Sequence, residues 1–475
     1  MSDVTVREVD QLLPAPRLVA LGLQHVLVMY AGAIAVPLII AGALGLNPEQ
    51  RAILINADIL ACGLASLVQS IGLPGVGIRL PVMMGVTFAS VAPMLAMITA
   101  AKDTGGANFS PLSVLTTIYG AIMAAGVFAI IVAPFMSRLL RLFPPVVTGS
   151  IILVIGLSLM RIGVGWVEGP FMVPNIVDGV FKGVIPNPNR DALDGFLLSL
   201  IVLLVILGVT KFGKGFWSNI AVLVGIVVGA VIAAVIGKME FGAVAKASWV
   251  GVTLPFQFGF PDFQIVPILT MCVVMIVVMI ESTGMFLALG EMTGKKIGPQ
   301  ELTEGLRADG VGTIIGAAFN AFAYTSFSQN VGLVGVTGVR SRFVAATGGA
   351  ILIVLSLIPK LASIVGAIPV EVLGGAGLVM FGMVAATGVR ILSAVDFKNN
   401  RNNLFIVAIA VAFGLLTLIS PGFFKNLPTA LKPILDSGII LTTIVAVALN
   451  AYYNGVGSQA DAESQLTEAA RAAEH

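Results

Sequence analysis

The chain has 475 residues, which a soluble protein would divide into about two to four domains. Its composition excludes that: 57% of residues are hydrophobic, 11% are charged and the mean hydropathy is +1.03, whereas soluble domains carry about 25% charged residues. With 26 Lys and Arg against 24 Asp and Glu the net charge is +2, so there is no nucleic-acid footprint and no acidic tail. Cys62 and Cys272 lie far apart in apolar runs, which excludes a disulfide scaffold, a CxxC redox pair and a cysteine zinc site. No metal or cofactor is expected.

A membrane-crossing helix needs about 20 mostly apolar residues. Such runs follow one another at 18–44, 53–71, 115–135, 146–167, 197–207, 220–236, 265–289, 343–358, 372–386, 404–419 and 439–449. Three more apolar stretches, starting at Leu80, Gly310 and Val331, are studded with Gly, Pro, Ser, Thr and Asn. Together they predict an all-α polytopic membrane protein of about fourteen segments. The N-terminal segment 1–14 lacks a basic n-region and a cleavage site, so no cleaved signal peptide is expected. With both ends in the cytoplasm, short inner loops receive Arg79, Arg138, Lys295, Lys296, Arg340 and Arg342, as the positive-inside rule requires. The tail 456–475 reads as a solvated extension.

Two stretches do not read as continuous helices. One runs from Leu80 to Pro93, with prolines near both ends of a patch dense in Gly, Thr and Ser; the other runs from Tyr324 to Gly338. Irregular backbone at membrane depth survives only where protein buries it or a cavity borders it. Interrupted segments at corresponding places in two halves point to an inverted-repeat transporter with a midplane site. Each of these lies third in its half.

Glu281 sits inside the run 265–289, where a carboxylate is costly and functional by default, and no Lys or Arg in that run can pair with it. A low-dielectric setting suits a carboxyl that carries a proton or donates to a ligand. Asp309 reads as the opening residue of a broken span, favoured there by the helix dipole. Asp58, in the second span, reads equally as structural. Apart from the terminal His475, His25 is the one histidine; it follows Gln24 and suits proton handling or a bond to a neighbouring helix. Gln329 and Asn330 place two amides at a break, where they offer donors and acceptors to a planar heterocycle or to freed backbone groups. The Thr87 hydroxyl has the same two options.

These residues resemble the nucleobase/ascorbate transporters, also called nucleobase:cation symporter family 2. The family signature, an acidic or amide residue followed by Asn-x-Gly-x-x-x-x-Thr and then Gly or Arg, is matched from Gln329 to Gly338. The family's Gln-His pair is matched by Gln24-His25, its carboxylate in the eighth segment by Glu281, and its Ala-Asp-Gly by Ala308-Asp309-Gly310. The resemblance implies two inverted sets of seven segments, with short strands in the broken third and tenth. It implies a core domain of 15–141 (segments 1–4) and 262–365 (segments 8–11), and a gate domain of 142–240 (segments 5–7) and 366–455 (segments 12–14). Homodimers form through the gate, and core moves against gate like an elevator.

Carried over by position, Glu281 and Gln329 contact the base, Asp309 is essential for coupling and Asn330 tunes specificity. His25 hydrogen-bonds toward the eighth segment, while Phe88 and its neighbours offer backbone amides and a stacking face. The surroundings of Glu281 and Gln329 look like the bacterial uric acid permease branch, and Gln at 329 suits purine members, although Gly338 is the choice of many xanthine permeases. The resemblance therefore implies proton-coupled uptake of an oxidised purine, urate ahead of xanthine, across the inner (cytoplasmic) membrane. The alternatives are a uracil or broad nucleobase symporter and an anion transporter of the same architecture. An enzyme is disfavoured: the stretch from Gly208 to Gly215 half matches a P-loop, but Gly215 stands where Ser or Thr is required.

Overall fold

The computed structural model describes residues 8–169, 172–177, 180–186, 190, 192–420, 422–428 and 431–457. The first part of the N-terminal segment (1–7) and most of the tail (458–475) lie outside the described residues. The chain opens with α1 (Ala15–Leu44) and α2 (Pro48–Ile71), breaks at β1 (Met84–Val86), and resumes as α3 (Val91–Gly105) and α4 (Pro111–Val132). Next come α5 (Pro145–Glu168), the hairpin β2 (Met172–Val177) and β3 (Val180–Pro186), α6 (Leu193–Phe212) and α7 (Ala221–Val235). Then follow α8 (Ile265–Thr293), α9 (Pro299–Ala318), a second break at β4 (Tyr324–Ser326), and α10 (Ser328–Thr337). The chain ends with α11 (Arg342–Ser356), α12 (Pro359–Gly366), α13 (Val370–Ser393), α14 (Asn402–Ile419) and α15 (Gly438–Asn454), with one-turn helices between several of these.

Among the described residues, eight helices are long and apolar enough to cross a membrane, and α11 with α12, bent by 84°, makes a ninth span if the pair is counted as one. The chain is thus a mostly helical, multi-pass membrane protein. The helices begin where local chemistry satisfies their free N–H groups. Before α2, Asn47 and Gln50 bond reciprocally, with Pro48 in the first turn. Before α9, Pro299 follows Gly298, whose N–H donates to Glu301 Oε2 at 3.0 Å.

Two helix crossings lie at the centre. A Cβ on Gly126 of α4 would stand 2.8 Å from the Gly310 carbonyl of α9, and one on Gly310 would stand 2.7 Å from the Gly126 carbonyl. Gly63 of α2 and Gly349 of α11 have the same reciprocal relation, at 2.7 and 2.9 Å. Only glycine lets backbones meet this closely, the small-residue packing that membrane interiors use in place of hydrophobic exclusion.

Several basic side chains meet around the α10–α11 connection. Arg342 pairs with Asp10 at 2.7 Å and Arg340 with Glu8 at 2.6 Å, so the start of the chain is tied to the α10–α11 connection. Lys295 donates to the Ile78 carbonyl at 2.7 Å, and Arg342 to that of Ile71 at 2.8 Å.

Candidate functional site

The two broken segments meet as a two-stranded antiparallel sheet, with Met84 opposite Ser326, Gly85 opposite Thr325 and Val86 opposite Tyr324. Each strand is held in the same way. The Met84 N–H donates to Ser66 Oγ of α2 at 2.8 Å, and the Tyr324 N–H donates to Thr313 Oγ1 of α9 at 3.1 Å. Past the strands, the Thr87 N–H donates to the Ala323 carbonyl at 2.8 Å and the Phe327 N–H to the Met83 carbonyl at 2.9 Å. Every polar backbone group that the breaks release needs such a partner, because lipid supplies none. The close approach leaves no room for a side chain at Gly85, where a Cβ would collide with the Phe327 ring.

Beside this sheet lies a cavity of about 450 Å³ including its mouth, lined by the chain from Val86 to Ala89, by Thr325 to Gln329, by Glu281 of α8, and by Ile152, Ile155 and Val384. Four expected groups converge on it or border it. The Glu281 carboxylate faces it half-buried, with no hydrogen bond or ion pair to any described residue. Gln329, on the first turn of α10, is exposed to it; its Oε1 accepts a long bond from the Ser328 hydroxyl at 3.4 Å, which leaves a second lone pair and the amide N–H groups to face a ligand. Phe88 lines the wall and packs edge-on against Phe381 of α13, centroids 5.8 Å apart. Thr87 lies at the wall, but its hydroxyl accepts from the Ala89 N–H at 3.2 Å, so it serves its own backbone. After each break a helix starts toward the cavity, which gives its rim N–H groups and positive dipole ends.

Three further expected residues sit behind the wall. Asn330 is fully buried and points away from the cavity: its Nδ2 donates to the His25 carbonyl at 2.9 Å and lies 3.1 Å from His25 Nδ1. An amino group facing a carbonyl fixes the amide's orientation, so His25 Nδ1 is an acceptor and the ring proton sits on Nε2. His25 was expected to bond toward the eighth segment; the side chain it bonds is in the tenth. Asp309 also departs from expectation. It does not open a span but lies deep within α9, because the polar stretch from Pro299 to Ala308 is helical from its proline and Glu301 cap onward. Its Oδ1 accepts from Gln69 Nε2 at 3.1 Å, and the Ser282 hydroxyl lies beside the carboxyl.

Ser282, beside Glu281, links the two layers. Its hydroxyl lies 3.2 Å from Thr325 Oγ1, accepts from the Ser326 N–H at 3.4 Å and adjoins Asp309. Asp58 is buried away from the cavity, with its Oδ1 2.7 Å from the Tyr324 hydroxyl. Sequence reasoning did not single out Ser66, Gln69, Thr313, Tyr324, or the walls Ile152, Ile155 and Val384. Single hydroxyls and aliphatic residues in apolar runs carry no local signal of such roles.

A family model described as "Permease family" (Xan_ur_permease) matches residues 16–423. The chain is 48% identical over 455 residues to "Uric acid transporter UacT" of Escherichia coli (strain K12), covering 96% of this chain and 89% of that protein. It is 42% identical to "Uric acid permease PucJ" of Bacillus subtilis (strain 168), covering 91% of this chain and 92% of that one. With the "Xanthine permease" of the same Bacillus strain it shares 41% identity, over 92% and 93%. Among solved structures, the transmembrane domain of the cyanobacterial bicarbonate transporter BicA superposes with a TM-score of 0.55 at 18% identity, covering 91% of this chain and 97% of that one. SLC26A9 gives 0.60 at 13% identity, over 93% and 66%. At such identities these two likenesses establish the fold alone.

Proposed function

Because the chain belongs to this permease family, the one resembled as nucleobase:cation symporter family 2, we propose that it is a proton-coupled symporter of an oxidised purine, urate ahead of xanthine. It is a carrier rather than an enzyme, a reading supported by relatives named as a transporter and a permease. The observation that carries the reading is a carboxyl, Glu281, with no ion pair among the described residues, lining one cavity with the exposed amide of Gln329 and two helix starts. An oxidised purine presents alternating ring N–H and carbonyl groups along its edges. Gln329 can meet both at once, while Glu281 accepts from a ring N–H when ionised and donates when protonated. A proton on Glu281 then changes how the base is held, which is what coupling requires, and Asp309 is the buried carboxyl behind it. His25 supports the same wall through Asn330.

The segments group as seven and seven: α1, α2, the β1–α3 segment, α4, α5, α6 and α7, then α8, α9, the β4–α10 segment, α11 with α12, α13, α14 and α15. The reciprocal crossings of Gly126 with Gly310 and Gly63 with Gly349, and the matching roles of Ser66 and Thr313, support an inverted repeat. On this reading segments 1–4 and 8–11 are the core (15–141 and 262–365), and segments 5–7 and 12–14 the gate (142–240 and 366–455). The cavity walls support that division: polar groups come from the core, whereas Ile152, Ile155 and Val384 come from the gate. A smooth aliphatic surface suits a core that slides with its cargo as an elevator. The protein works as a homodimer in the bacterial inner membrane.

The test is uptake of radiolabelled urate and xanthine by cells expressing the chain, with uracil as competitor and an uncoupler as control. Saturable urate uptake that collapses with the uncoupler is expected. Uptake of xanthine or uracil alone moves the substrate and keeps the mechanism. Uptake of none, with uptake of a small anion instead, replaces the reading by the anion-transporter alternative.

A further inference from the structure

Asp58 lies in the middle of α2, 1% exposed, and its hydrogen-bond partners do not balance if it is ionised. The Tyr324 hydroxyl stands 2.7 Å from Asp58 Oδ1 and 2.9 Å from the Asp58 backbone carbonyl. One hydroxyl proton faces two acceptors. The Cys62 thiol, one turn further along α2, stands 3.6 Å from Asp58 Oδ2 and donates there. Tyr324 and Cys62 are the ionisable side chains bonded to this carboxyl, and among the described residues no Lys, Arg or His pairs with it. A bare carboxylate buried without a cation is costly. A proton on Oδ1 resolves both difficulties: Oδ1–H donates to the Tyr324 oxygen, the Tyr324 hydroxyl donates to the Asp58 carbonyl, and the thiol donates to Oδ2. Three donors then meet three acceptors.

Tyr324 is the first residue of β4, and the next five residues, Thr325 to Gln329, form one wall of the cavity. The backbone of that wall is anchored from α9 by Thr313 and its side-chain end from α2 by Asp58. We propose that Asp58, carrying a proton, is a positioning residue for the substrate site, latching Tyr324 so that β4 presents Thr325 to Gln329 to the bound base. It touches no ligand, and its proton is separate from those of Glu281 and Asp309. The proposal rests on reading the cavity as the purine site.

The experiment compares D58N, D58A, Y324F and the double variant D58A/Y324F with the parent in proteoliposomes, at equal amounts of inserted protein. Asparagine keeps the shape and a donor toward Tyr324. D58N is therefore expected to hold the KM for urate or xanthine within about twofold, while D58A and Y324F each raise it about tenfold, the worth of one buried hydrogen bond. The double variant adds nothing to either single one, because both cut the same latch. A carboxylic-acid C=O stretch is expected in the infrared difference between the parent and D58N at pH 7, moving to lower wavenumber with carbon-13 aspartate.

An unchanged KM in D58A or in Y324F overturns the positioning role, and the absence of that band overturns the proton. If D58A does not insert, Y324F and the isosteric D58N still decide. A parent protein that transports neither purine instead sinks the functional reading, and the infrared band then still tests the state of Asp58.

Discussion

The two broken segments share one frame and differ in what they hang on it. From Met84 to Ala89 and from Tyr324 to Gln329 the backbone takes the same course: a strand, a bond back to the partner strand, then a helix starting toward the cavity. A hydroxyl on the preceding long helix, Ser66 or Thr313, holds each strand at its first residue. The side chains diverge. The first segment brings an aromatic ring, Phe88, and a hydroxyl engaged with its own backbone; the second brings Gln329 to the cavity and, one residue on, Asn330 to His25. The shared course gives a place where unpaired backbone is tolerated at membrane depth, and the difference between the two lies in the side chains offered to the cavity.

The largest expected effect tests the recognition half of this comparison. Glu281→Gln should lower concentrative purine uptake by about two orders of magnitude while the protein still reaches the membrane, since the amide keeps the shape but cannot exchange a proton. Normal accumulation by this variant would remove the proposed site. The frame is tested next by Ser66→Ala and Thr313→Ala. Each strands one buried N–H, so each should cost about 1–3 kcal/mol of stability, read as a similar drop in detergent melting temperature. A large loss from one and none from the other would break the equivalence of the two strands.

Gln329→Ala removes the exposed amide of the second segment and should raise the KM for urate or xanthine about tenfold. An unchanged KM would move the ligand off this segment. His25→Ala is expected to do less, about threefold on uptake, because His25 acts through Asn330 behind the wall. An effect larger than that of Glu281→Gln would reverse the order of their roles.

Glu281 and the two breaks were legible because each violates a local rule: a charge in an apolar run, and helix breakers at membrane depth. Asp309 was legible as important yet misplaced. The polar run before it reads as a loop, whereas Pro299 and Glu301 start a helix there and a neighbouring helix supplies Gln69 as its partner. The bond between Asp58 and Tyr324 joins residues 266 apart, and nothing near either one announces the other. The hairpin of β2 and β3 likewise carries no local signal, because Pro174 and Gly183 interrupt any alternating pattern there. Pairings between residues so far apart in sequence are not carried by short-range pattern.

The sheet of β1 and β4 also has a consequence for how the protein is made. Met84 and its strand partner Ser326 are 242 residues apart. At ribosomal speeds of about 5–20 residues per second, β1 is synthesised roughly ten to fifty seconds before the strand that completes it. During that interval its backbone has Ser66 but not its strand partner, and α2 and α4 lack the glycines of α11 and α9 against which they close. The first half of the nascent chain therefore waits at the insertion machinery with open polar and packing surfaces. A chain that stops short of β4 has no half-formed site to fall back on.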